Sequence, residues 1–280
     1  MRVIKAETII NTVAEMCIDA NRNLCPDVYD SISKSLEREE SPIGRSILEK
    51  IIQNADMARE KQMPICQDTG MAVFFAEMGN EVIIEDSTLE EAINEGVRKG
   101  YTEGYLRKSV VADPLRRVNT GDNTPAIVHL TQVKGDKLTI TIAPKGFGSE
   151  NMSGVKMLKP SDGEKGVKDF VVETASKGGS NPCPPIVVGV GIGGTMEKAA
   201  LLAKKALTLP LDKSNPDPYY AAMEDELLER INDLGIGPQG LGGRITALKV
   251  NILTYPTHIA GLPVAVNINC HVTRHKTVEI

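Results

Sequence analysis

Apolar residues recur at helical spacing through the first sixty positions. They run Ile9, Ile10, Val13, Cys17 and Ala20, then Val28, Ile32 and Leu36, then Ile43, Ile47, Ile51 and Ala55. This three-to-four spacing predicts three amphipathic helices, the third opened by Ser41-Pro42 as N-cap and first helical residue. After residue 60 the period changes. AVFFAEM-GN-EVIIE predicts a hairpin turning on Gly79-Asn80, and PAIVHLTQV with KLTITIAP predicts a second around Gly135-Asp136. Ser87 and Glu90 between them are spaced as a capping box for a helix carrying Leu89, Ile93 and Val97. Another helix is expected around Val167 to Ala175, ending at Gly178-Gly179. Then follow a short apolar strand, PIVVGV, a glycine turn and a helix from Thr195 to about Leu207. Asn215-Pro-Asp-Pro opens a further helix with Tyr220, Met223, Leu227, Ile231 and Leu234, stopped by Gly235. Strand-like runs at 245–254 and 263–269 close the chain. Helices and strands mix without strict βαβ alternation. The expected fold is α/β: a helical N-terminal segment, 1–60, packed on a mixed, largely antiparallel β-sheet, within a single domain spanning 1–280.

Composition narrows the partners. The chain has 280 residues, 41% of them hydrophobic, enough apolar material for a large core. Its net charge of −5 argues against a nucleic-acid binder, which normally presents a basic face. The longest apolar stretches, such as Ile186 to Ile192, are too short and too glycine-broken to span a bilayer. The N-terminus, MRVIKAETII, carries charge where a signal peptide needs an unbroken apolar core. The expectation is a soluble, cytoplasmic chain with no nucleic-acid or membrane partner.

Five cysteines, an odd number, change the picture. In a reducing compartment they read as free thiols, metal ligands or catalytic groups rather than a disulfide framework. Cys17 lies on a helical apolar face and reads as core; Cys25, before Pro26 at a helix end, is equally bland. The other three share a context. Cys66 lies in PICQDTG, Cys183 in GGSNPCPP and Cys270 in NINCH, each at an element boundary beside Pro, Gly or polar amides. Backbone N–H groups there can point at a bound anion. Three thiolates from distant segments suit a metal centre, and on a [4Fe–4S] cluster they leave one iron without a protein ligand. Spacing alone favours three unrelated thiols over a shared metal site.

A rival motif is Gly189-Val-Gly-Ile-Gly-Gly194, a G-x-G-x-x-G between strand and helix with Asp212 downstream, which would suit dinucleotide binding. No N-terminal βαβ unit surrounds it, and a tight turn for helix–strand packing explains it as well. His258, His271 and His275 complete the polar inventory; a lone histidine is more often a hydrogen-bonded structural residue than an acid or ligand. Arg107 and Lys145 read most simply as solvated surface charges, and NTGDNTPA as a turn.

Taken together and in order, PICQDTG, NTGDNTPA, KGFGSEN, GGSNPCPPIVVGVGIGGT, GPQGLGG and NINCHVTRH resemble the α-type iron–sulfur hydro-lyases. That family includes class I fumarases and L-tartrate dehydratases. The resemblance runs from the first helices to the C-terminus, making the chain one α-type catalytic domain. It implies Cys66, Cys183 and Cys270 as ligands of a [4Fe–4S] cluster with one iron lacking a protein ligand. It implies Gln67, Arg107 and Gly148 as substrate contacts, and Asp68 with His258 as the acid pair. Single-chain members often read KGGGS where Phe147 stands here, which leaves Gly146 and Gly148 both open. Single-chain members also continue into a second, mobile domain. The resemblance therefore implies the α subunit of the two-subunit form, completed by a β subunit in an α2β2 hetero-oligomer. The implied reaction is reversible hydration of fumarate to L-malate, with L-tartrate dehydration as the alternative. A dinucleotide-binding oxidoreductase and a non-catalytic scaffold holding a structural metal are more distant readings.

Overall fold

All three N-terminal helices of the apolar pattern form in the computed structural model, which describes residues 1–280. The chain order is β1 (Arg2–Lys5), α1 (Ala6–Arg22), α2 (Pro26–Arg38), α3 (Pro42–Lys61), β2 (Met71–Gly79), β3 (Val82–Glu85), α4 (Leu89–Glu103), β4 (Ile127–Val133) and β5 (Leu138–Lys145). It continues with α5 (Phe147–Glu150), β6 (Gly154–Leu158), α6 (Gly163–Gly178), β7 (Ile186–Gly193), α7 (Met196–Ala206), α8 (Pro218–Asn232), β8 (Ala247–Tyr255), β9 (Leu262–Asn269) and β10 (Lys276–Glu279). Contacts divide these residues into two units. One comprises Met1–Cys25, Ala55–Phe147 and Arg274–Ile280; the other comprises Pro26–Asn54 and Gly148–Thr273. The class is α/β with mixed sheets, as the pattern predicts. No helix is long and apolar enough to cross a membrane.

Local signals placed most elements, with two shifts. The Ser41 hydroxyl accepts from the Gly44 N–H at 3.2 Å and caps α3. The buried side of that helix, however, is Leu48, Ile51, Ala55 and Ala58, while Ile43 is 59% exposed. The capping box of α4 sits one residue later than expected, at Thr88 and Glu91. Thr88 Oγ1 accepts from the Glu91 N–H at 3.2 Å and Glu91 Oε2 accepts from the Thr88 N–H at 3.0 Å.

Strand pairing departs from both predicted hairpins. In the first unit the four-stranded sheet runs β10-β5-β2-β4, and β3 instead pairs in parallel with β1. So β2 lies between β4, its parallel neighbour, and β5, its antiparallel one. The reason is burial. Residues Ala72 to Ala76 of β2 are all buried, whereas β4 is largely exposed; a strand apolar on both faces belongs in the middle of a sheet. Gly79-Asn80 does not fold β3 back onto β2 because the turn closes elsewhere. The Gly79 N–H donates to Lys137 O, Asn80 N–H to Val133 O and Glu81 N–H to Gly135 O.

On one side of this sheet α1 packs against α4. Gly96 and Gly100 on α4 and Gly104 at its C-cap, spaced four apart, bring the two helices close. A Cβ on Gly100 would lie 2.7 Å from the Ala14 carbonyl oxygen, a backbone atom that cannot rotate away. Gly100→Ala should therefore destabilise the chain by about 1–3 kcal/mol despite alanine's better helix propensity. Urea denaturation checks this; an unchanged or raised midpoint would mean the helices can separate freely.

In the second unit the sheet order is β6-β9-β7-β8, with β7 buried along its whole length. Gly189 and Gly191 lie under α7, whose Ala203 and Ala199 carbonyls occupy the space a side chain would need. Gly193 and Gly194 have φ of 94° and 69° and turn the chain into that helix. Close helix–sheet packing and the positive-φ turn thus account together for every glycine of the G-x-G-x-x-G motif.

Candidate active site

The PICQDTG segment is a turn leading into β2, and its residues are tied at nearly every polar atom. Asp68 is the centre. Its N–H points at Cys66 Sγ at 3.4 Å, and its carboxylate accepts from the Gly70 N–H at 2.9 Å and the Phe147 N–H at 3.0 Å. Its carbonyl accepts from Arg274 Nη2 at 2.5 Å. The Cys66 thiol lies 3.3 Å from Gln67 Oε1. Gly146 stands against the carboxylate: a Cβ there would be 3.2 Å from Asp68 Oδ2. A carboxylate has about four acceptor positions, so the two amide contacts leave capacity for a substrate.

Arg107 is attached to the same turn through its backbone. Thr69 Oγ1 accepts from the Arg107 N–H at 2.9 Å and donates to the Arg107 carbonyl at 3.1 Å. The guanidinium itself is exposed. Below the turn, the buried Tyr101 hydroxyl lies 2.9 Å from Thr69 O and 3.1 Å from Gly70 O. Asn123, from NTGDNTPA, is fully buried with φ of 64°. Its Oδ1 accepts from the Ser109 and Val110 N–H groups and its Nδ2 donates to Gly70 O. The motif that read as an ordinary turn therefore fixes the Arg107 segment against the cysteine turn. Next to it, burial opposes the charge of Asp122. Hydrogen bonds from Thr124 and Arg98 outweigh that effect and lower its carboxyl to about 2. Lys145 corrects an expectation. It is 3% exposed rather than solvated, and its Nζ donates to Gly146 O at 3.3 Å.

The second unit carries Cys183, Cys270, Gly148 and His258. Antiparallel pairing of β7 with β9 sets Val187 opposite Asn269, so the segments holding Cys183 and Cys270 run side by side. The His271 N–H donates to the Cys183 carbonyl at 3.3 Å, and His271 Nδ1 lies 2.9 Å from the same oxygen. Cys183 is exposed and has φ of 54°, a left-handed conformation uncommon outside glycine. GPQGLGG braces this loop. Gln239 donates through its backbone N–H and its Nε2 to Pro184 O, each at 2.8 Å. The buried Glu39 accepts from the N–H groups of Ser41, Arg244 and Ile245 at 2.8–2.9 Å. Burial alone would raise its pKa, but those amides hold the carboxyl below the usual range. Gly148 is exposed at the start of α5. His258 is exposed too, its Nδ1 accepting from the Ala260 N–H at 3.2 Å, and it borders a cavity of about 350 Å³ with Glu164, Tyr219 and Met223.

The sequence-predicted residues thus fall into two groups. Cys66, Gln67 and Asp68 share one turn of the first unit, to which Arg107 is tied through Thr69. Cys183 and Cys270 share one end of the two central strands of the second, Gly148 and His258 stand elsewhere in that unit, and within neither unit do three or more His, Cys, Asp or Glu side chains gather as a metal site. Thiol chemistry separates the cysteines. Cys17 is fully buried, which pushes its thiol well above the ordinary range, and Cys25 donates to the His275 carbonyl at 3.2 Å. The supports Thr69, Tyr101, Asn123, Gln239 and Arg274 were not singled out by sequence. Thr69, Asn123, Gln239 and Arg274 lie inside quoted motifs, which was the available signal.

The family model described as "Fumarate hydratase (Fumerase)" matches residues 10–279. A Methanocaldococcus jannaschii chain named "Putative L(+)-tartrate dehydratase subunit alpha" is 44% identical over 278 residues, covering 97% of each chain. An Escherichia coli K12 chain named "L(+)-tartrate dehydratase subunit alpha" is 34% identical over 258 residues, covering 91% of this chain and 84% of the relative. On a match that spans nearly its whole length, this chain belongs to the fumarate hydratase family of hydro-lyases.

Proposed function

We propose that the chain is the α subunit of a cytoplasmic hydro-lyase that interconverts fumarate and L-malate. The observation that carries the reading is the Cys66–Gly70 turn, where a doubly anchored carboxylate and a freely projecting guanidinium share one rigid support. The β subunit it implies is supported by the "subunit alpha" in the relatives' names, and we assign the pair to an α2β2 assembly. Those names also favour a second reading, in which the substrate is L-tartrate.

Cys66, Cys183 and Cys270 are the residues we assign to hold a [4Fe–4S] cluster with one iron lacking a protein ligand. The amide aimed at Cys66 Sγ and the accessible Cys183 fit that role, since N–H donors stabilise a ligating thiolate. When bound, such a cluster supplies a Lewis acid that polarises a leaving oxygen. The chain's own residues do the rest. Arg107 grips one substrate carboxylate through a two-point contact. Gln67 and the Gly148 backbone orient the substrate. Asp68, paired with His258, delivers the proton to the departing hydroxide. The base for the carbon proton is assigned to the partner, so the chain alone should be slower by a factor of about 10² to 10⁴.

The test is anaerobic co-expression with the β chain and measurement of kcat/KM for L-malate, fumarate and L-tartrate, with and without that partner. We expect the malate–fumarate pair to exceed tartrate by about 100-fold, the scale at which one hydroxyl is distinguished. Preference for tartrate would move the substrate, and inactivity on all three would sink the hydro-lyase reading for this chain.

Arg107→Lys gives a narrower check. Lysine keeps the charge and loses the planar fork, so kcat/KM should fall by about 1.5–3 kcal/mol with iron content unchanged. Unaltered kinetics would return Arg107 to the solvated surface.

A further inference from the structure

Arg274, in the CHVTRH motif, has a role that the proposed reaction does not use. Arg274 is 4% exposed. It donates to two backbone carbonyls, Pro144 O from Nε at 3.4 Å and Asp68 O from Nη2 at 2.5 Å. Nη1 is buried with no partner at all, and no carboxylate forms an ion pair with it: the Asp68 side chain is turned to the Gly70 and Phe147 amides. Arginine cannot shed its proton, and burying a charge is costly unless something of opposite sign offsets it. Two carbonyl dipoles do only part of that.

The Asp68 carbonyl that Arg274 holds belongs to the turn whose outer side carries the half-buried Cys66, with the exposed Gln67 and Arg107. Lys145, also buried, donates from Nζ to the carbonyl of Gly146, the residue that borders the Asp68 carboxylate. Two buried cationic side chains, Arg274 and Lys145, thus hydrogen-bond to backbone next to this turn in a chain that is acidic overall. We propose that Arg274 is a positioning residue: the buried counter-charge for an anion held against the Cys66–Gly70 turn. The inference rests on the proposed function, which offers two sources for that negative charge, a thiolate-ligated iron–sulfur cluster and a dicarboxylate. Through its hydrogen bond to Asp68 O, Arg274 also keeps the Asp68 N–H aimed at Cys66 Sγ.

The test compares full-length wild type, Arg274→Met and Arg274→Lys, each purified anaerobically and loaded with iron and sulfide. Three quantities are read: the rate at which a chelator bleaches the cluster absorbance, the affinity for L-malate followed by the electron paramagnetic resonance of the reduced cluster, and the melting temperature of the metal-free chain. Arg274→Met should lose its cluster about tenfold faster or more, the scale of outer-shell effects on metal sites, while its metal-free melting temperature moves little. Arg274→Lys, which restores the charge, should recover most of that loss. If malate affinity falls and cluster loss does not, the anion served is the dicarboxylate, and the counter-charge role stands. Wild-type behaviour of Arg274→Met in both binding measurements would overturn the inference. So would Arg274→Lys failing as badly as Met, or a collapse of the metal-free melting temperature in both variants, because hydrogen-bond geometry alone would then explain the residue. A wild-type chain that holds no iron and binds no malate would defeat the proposed function first, and this inference with it.

Discussion

Cys66→Ser, Cys183→Ser and Cys270→Ser should each abolish iron binding by anaerobically purified protein, while Cys17→Ala and Cys25→Ala leave it at about four irons per chain. Serine preserves the size of the side chain but gives a poor ligand for iron, so the change isolates thiolate chemistry from packing. The five thiols have different surroundings. Cys17 faces the core from α1, with the thiol form favoured by burial, and Cys25 is engaged with the His275 carbonyl. Cys66 has an amide N–H on its sulfur, Cys183 reaches solvent from a left-handed backbone, and Cys270 follows directly on β9. Cys17→Ala should still cost stability through the cavity it leaves, which separates the two kinds of effect in one experiment. Full iron content in any of the three serine variants would remove that residue from the ligand set.

Asp68→Asn should lower kcat by about 10² to 10⁴, the range for loss of a positioned proton donor, with iron content retained. An amide cannot deliver the proton. It also cannot accept at both ends: Gly70 and Phe147 each present an N–H, and whichever way the amide turns, one N–H meets an NH2 group. The turn should therefore loosen by about 1–3 kcal/mol, the cost of leaving a partly buried donor unpaired. A fall in kcat of less than about tenfold, with the same loss of stability, would mean that Asp68 only shapes the turn.

Much of the helical framework was determined by the sequence itself. Helix periodicity, Ser41-Pro42, Asp217-Pro218 and Gly178-Gly179 act over three or four residues, so α1 to α3 and α6 to α8 stand where local chemistry puts them. The unusual cysteines were legible for a similar reason: a thiol amid Pro, Gly and amides departs from the apolar runs that bury cysteine. Strand partners were not legible. AVFFAEM looks equally ready to pair with the next strand or a distant one, and the choice fell to β4 and β5 because only a central position covers both of its apolar faces. The supports of the site were hidden likewise. Tyr101, Asn123 and Arg274 reach Thr69, Gly70 and Asp68 across 31 to 206 positions of chain. Hydrogen bonds between such distant residues leave no spacing rule in the sequence; only the packed tertiary structure decides which buried donor meets which carbonyl.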